Sequence, residues 1–137
     1  MSLFDLLFSN VAETHPQHRD PRLRTRVWKA GLADAMEAVR GRIAALPGWC
    51  IVYDSPGAGR IFAERRARFG GFVEEVCITF HAPQENRVEI DARSASRLGV
   101  GDLGRNARNL RELFAGLQPP PVPPPSAFSS ELPEPER

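Results

Sequence analysis

Between Trp49 and Arg93 the hydrophobic period of the chain changes from helical to two, and this stretch constrains the fold more than any other. Trp49 to Asp54 is a short apolar run, and Arg60 to Phe69 alternates charged with apolar residues. Phe72, Val76, Ile78 and Phe80 share one face of Phe72 to His81, while Val88, Ile90 and Ala92 alternate with Glu89, Asp91 and Arg93. The connections, Ser55 to Gly59, Gly70-Gly71 and Ala82 to Asn86, are rich in turn formers. They are also too short for a parallel crossover, which needs about a dozen residues. Four segments so joined predict an antiparallel meander with one apolar face, and such a face has to be covered by helices.

Both flanks supply a helix. Leu32, Met36, Val39, Ile43 and Leu46 step by three or four residues and stop at Pro47-Gly48. Leu103, Ala107, Leu110, Phe114 and Leu117 repeat the pattern, with Arg105, Arg108 and Glu112 expected toward solvent, Asp102 as N-cap, and Gly116 with Pro119 as the stop. The predicted fold class is α+β, a two-layer domain in which a four-stranded antiparallel sheet is covered by an N-terminal and a C-terminal helix. Residues 9–26 are polar with a basic run and carry Pro16 and Pro21, and residues 1–26 are expected as an extended arm without structure of its own. Residues 27–117 form the predicted domain, and 118–137 a proline-rich tail whose Pro119 to Pro125 run favours polyproline II.

Charge excludes some function classes. The 18 Lys and Arg residues against 17 Asp and Glu give a net +1, so no global field marks a nucleic-acid binder. The tail contributes three of the acids and one of the bases, which leaves the preceding residues mildly basic. The basic arm from Arg19 to Lys29 lacks the aromatic platforms of a single-strand binder, so no specific nucleic-acid partner is expected. No stretch is long and apolar enough for a transmembrane segment, and the N-terminus lacks the basic region of a signal peptide, so cytoplasmic residence is the expectation. Cys50 and Cys77 sit in strand-like segments without metal-ligand spacing and read as buried free thiols. His15 and His18 could together supply at most two metal ligands, so neither a metal nor a cofactor is predicted.

Two groups of residues could carry chemistry. Gly99, Gly101 and Gly104 match a dinucleotide fingerprint, but no further strand follows the helix, and they are better explained as a tight turn. Arg93, Ser94, Ser96 and Arg97, leading to Asp102 and Asn106, bring two guanidiniums and two hydroxyls to a helix N-terminus, a set able to hold a phosphate or carboxylate. Asp102 would occupy the anion's place, so the same set also reads as a structural cluster in which arginines pair with Asp102, Glu74 or Glu75. By alternation Glu74 shares the face of Phe72, Val76 and Ile78, and a carboxylate on a buried face must be paired or become a general base.

The run from Val88 to Asn106, with its Arg-Ser-Ala-Ser-Arg core and following Gly, Asp, Gly and Asn, resembles the signature of the bacterial and plastid family called domain of unknown function 1499. Gly71-Phe72-Val73-Glu74-Glu75-Val76 is similar to a second element of that family, and Asp20 to Arg24 and Leu46 to Trp49 are similar to further stretches seen in its members. The resemblance covers roughly residues 15–117 and implies no reaction, because the family has no established activity. It implies Glu74, Glu75, Arg93, Ser94, Ser96, Arg97, Asp102 and Asn106 as site candidates. The expected function is a non-enzymatic binding domain for a small anionic or amphiphilic ligand or a protein partner. The alternative is a small hydrolase or isomerase with Glu74 or Glu75 as general base and Arg93 and Arg97 orienting an anionic substrate.

Overall fold

The computed structural model describes residues 11–67, 71–96 and 104–121. Its sheet has six strands. They are β1 (Val11–Glu13), β2 (Arg26–Trp28), β3 (Trp49–Ser55), β4 (Arg60–Arg66), β5 (Val73–Gln84) and β6 (Arg87–Ser96), and the helices are α1 (Leu32–Ala45) and α2 (Arg105–Ala115). Strands β3 to β6 form the expected antiparallel meander. Its hairpin turns exploit residues that break the strand: Gly59 adopts φ 66°, and Phe80 N–H donates to its carbonyl at 2.8 Å. Pro83, which has no N–H to offer a ladder, falls within the register irregularity between His81 and Gln84.

Of the two additional strands, β1 lies within the segment expected as an unstructured arm, and β2 straddles its boundary with the predicted domain at residue 27. Strand β1 pairs with β6 at Arg93 to Ala95, and β2 pairs with it at Val88 to Ile90, so both share the edge of β6 opposite β5. Between them the chain makes an excursion closed by His15 N–H to Leu23 carbonyl and Thr25 N–H to His15 carbonyl. Asp91 fastens both ends of the excursion, accepting from Thr14 Oγ1 at 2.7 Å and Thr25 Oγ1 at 2.6 Å. Leu23, on a 3-10 turn at Pro21–Leu23, is fully buried. The expectation failed because this segment has no periodicity of its own: its structure is imposed by β6 and Asp91.

One apolar layer lies between the sheet and the helices. Met36, Val39 and Ile43 of α1 and Ala107, Leu110 and Phe114 of α2 pack on Ile61, Val76, Ile78, Val88 and Ile90. Buried apolar area of this kind stabilises by roughly 25 cal/mol per Å2. Helix α1 matches the predicted stripe, but α2 starts differently. Its first residue is Arg105 and its N-cap is Gly104, held at φ 82°, rather than Asp102. Among the described residues no helix covers the opposite face of the sheet, and Cys50 is exposed and Cys77 half-buried there, both free thiols outside the core where they were expected. Residues 97–103, and with them Arg97, Asp102, Gly99 and Gly101, lie outside the described residues, as do residues 1–10 and the tail from residue 122.

Candidate functional site

Alternation along β5 and β6 divides the candidates between the two faces of the sheet. Glu74, Ser94 and Ser96 point inward beneath α2, whereas Glu75 and Arg93 point outward. Arg93 therefore cannot orient anything bound at Glu74. On the outer face Glu75 and Arg93 line a shallow depression of 410 Å3 with Tyr53, Phe62, Glu64 and Cys77.

Beneath α2 the inner face becomes polar at one end. The register aligns Arg65, Glu74 and Ser96 across β4, β5 and β6, and Ser94 stands in the next row, opposite Val76. Helix α2 answers with Asn106, Asn109 and Glu112, spaced three residues apart and hence on one face. Asn106 is fully buried and clasps β6: its Oδ1 accepts from Ser94 Oγ at 2.6 Å and its Nδ2 donates to Ser96 Oγ at 2.9 Å. Asn109 Nδ2 donates to Glu74 Oε1 and to Ser94 Oγ, both at 3.3 Å. Glu112 accepts from Trp49 Nε1 and, at 3.0 Å, from Arg65 Nε.

These bonds leave two atoms over. Glu74 is only 2% exposed, and its Oε2 has no hydrogen-bond partner among the described residues. Arg105 Nε is also buried without a hydrogen bond; it lies 3.6 Å from Glu74 Oε1, an ion pair too long for a hydrogen bond, while its guanidinium stacks 4.4 Å from the Phe72 ring centre. A buried polar atom left unpaired costs about 1–3 kcal/mol. Both residues line a cavity of 290 Å3 together with Arg65, Arg108, Asn109 and Glu112. Arg65 and Glu112 neutralise one another, Glu74 is balanced by Arg105, and Arg108 remains as an exposed cation on the wall. The cavity can thus accept a small anion and offers one buried carboxylate oxygen to a hydrogen-bond donor.

The sequence pointed to Glu74, Ser94, Ser96 and Asn106, which meet here. The apolar stripe of the helix by itself places Arg105 and Glu112 toward solvent and carries no signal for Arg65 or Asn109. The three-residue spacing of Asn106, Asn109 and Glu112, flanking that stripe, was the available signal.

The histidines lie elsewhere. The rings of His15 and His18 are 4.9 Å apart, and His18 Nδ1 accepts from Asp20 N–H at 3.0 Å. Among the described residues no three His, Cys, Asp or Glu side chains are grouped to hold a metal, and no helix is long and apolar enough to cross a membrane.

A family model described as "Protein of unknown function (DUF1499)" matches residues 7–117. No curated protein and no solved structure matches the chain.

Proposed function

This chain belongs to the DUF1499 family, whose description assigns no reaction, and from its own geometry we propose that it is a binding domain for a small anionic ligand held in the cavity between α2 and the β4–β5 edge of the polar row. The observation that carries this reading is a pair of buried polar atoms without a hydrogen-bond partner among the described residues, Glu74 Oε2 and Arg105 Nε, on two residues that line a cavity also walled by Arg65 and Arg108. Guanidinium groups recognise oxyanions through charge-assisted hydrogen bonds, and a cavity with such donors already in place spends little entropy on binding. Ser94, Ser96 and Asn106 support the site indirectly, by holding α2 on β6.

Titration calorimetry with phosphate, sulfate and small carboxylates tests the proposal. Arg108 is exposed, so Arg108→Ala should leave the melting temperature unchanged while weakening anion binding by about 10-fold or more. Unchanged affinity in that variant, or no binding of any of these anions to the wild type, would count against the site.

The same carboxylate oxygen favours a second reading, in which Glu74 serves as general base toward an anionic substrate held by Arg105 and Arg108. That reading requires Glu74→Gln to keep the fold and ligand affinity yet abolish turnover of whichever phosphate or carboxylate ester the wild type hydrolyses.

A further inference from the structure

Resting on the anion-binding reading above, we infer that Glu74 makes the cavity selective for an oxyanion that still carries a proton, such as monohydrogen phosphate or the monoanion of a phosphate monoester, over a fully ionised tetrahedral anion such as sulfate. An ionised carboxylate only accepts hydrogen bonds, so whatever satisfies Glu74 Oε2 must bring a hydrogen. The neighbouring side chains have little to give. Asn109 Nδ2 is engaged with Glu74 Oε1 and Ser94 Oγ. The Ser94 hydroxyl donates to Asn106, and Arg65 Nε donates to Glu112. Arg105 Nε is a free donor, but at 3.6 Å from Glu74 Oε1 it stands beyond hydrogen-bond distance, which leaves a group in the cavity as the source of the missing hydrogen.

Arg105 Nε, also without a hydrogen-bond partner, and the Arg108 guanidinium ask for the opposite, an acceptor with negative charge. One donor and several acceptors on a compact anion describe a tetrahedral phosphate retaining one P–OH. Its hydroxyl donates to Glu74 Oε2 in a short charge-assisted bond, and its remaining oxygens accept from the arginines. Sulfate at neutral pH offers acceptors alone and would press negative oxygen against a buried carboxylate where solvent screens poorly. A cationic donor is disfavoured because the cavity wall carries an excess positive charge, that of Arg108. The volume of 290 Å3 admits a phosphate group with space for a substituent.

The selectivity fixes the direction of the pH dependence. Glu74 is faced by Arg65 from β4, by Ser94 and Ser96 from β6, and by Arg105, Arg108, Asn109 and Glu112 from α2. The arginines stay charged throughout, and a phosphate monoester loses its last proton near about pH 6. Affinity for the monoester therefore falls as pH rises through that value. A site built from arginines without a carboxylate would show the reverse.

The experiment is titration calorimetry of the full chain, in chloride buffer, with inorganic phosphate, sulfate and phenyl phosphate. For the wild type near pH 6, phosphate should bind about 10-fold or more tightly than sulfate. In Glu74→Gln, whose amide supplies its own donor, that preference should vanish or reverse. Equal affinities in the wild type, or a preference that survives in Glu74→Gln, overturn the inference while leaving the anion-binding reading standing. Binding of neither anion overturns both. If Glu74→Gln does not fold, the wild-type series with phenyl phosphate from about pH 5.5 to 7.5 decides, and affinity that rises with pH refutes the selectivity. The relative affinities of phenyl phosphate and inorganic phosphate separate an esterified ligand from a free one.

Discussion

Asn106 shows how much one buried amide can carry. Being fully buried, it exchanges hydrogen bonds with Ser94 and Ser96 without competition from water. Asn106→Ala strands the Ser94 hydroxyl in the interior and should destabilise the fold by about 2–3 kcal/mol in denaturant titration. His18 makes a different prediction. Burial, with the neighbouring His15 adding to it, lowers its pKa below the ordinary 6.5. A group whose folded pKa is lowered in this way favours the neutral form in the folded state. His18 therefore has no effect on stability well above pH 6.5, and stability falls as pH drops through that value toward the folded pKa. Asp20 acts in a lower window. Its hydrogen bond to Arg22 depresses its pKa below 3.8, so its stabilisation is present above that value and is lost as pH falls through the folded pKa. Melting temperatures measured from about pH 7 down to 5 should decline in the wild type and stay flat in His18→Gln.

At the scale of elements, hydrophobic period predicted the strands better than the helix ends. Strands β4 to β6 and helix α1 follow from spacing because their two faces differ locally in polarity, and β3 follows from its short apolar run bounded by turn formers. The start of α2 was misplaced because Asp102 is a good N-cap by type, yet the αL conformation of Gly104 at φ 82° begins the helix. Gly59 in the β3–β4 hairpin tests the same turn logic. Its φ is 66°, and a Cβ there would approach the Phe80 carbonyl oxygen to 2.7 Å. Gly59→Ala should cost about 1–3 kcal/mol, read as a lowered melting temperature. Alternation also separates Glu74 from Glu75: adjacent residues on a strand must face opposite sides, so the pair cannot form one site.

For the whole molecule, the largest revision concerns residues 11–28, which complete the sheet rather than trail from it. Removing residues 1–25 would strip the β6 edge of β1, empty the pocket of Leu23 and leave Asp91 without Thr14 and Thr25. Such a truncation should abolish the cooperative thermal transition; a truncated chain that still melted sharply would show the segment to be dispensable. The sequence by itself determined the α+β class, the meander, and the inward direction of Glu74, because periods of two and three to four residues are properties of neighbours in the chain. Only the tertiary structure decided what Glu74 meets. Asn109 is 35 positions away from it, and the bond from Thr14 to Asp91 spans 77. Contacts at such separations leave no local period, and it is the packing of α2 over the end of the sheet that turns scattered arginines, asparagines and carboxylates into one cavity.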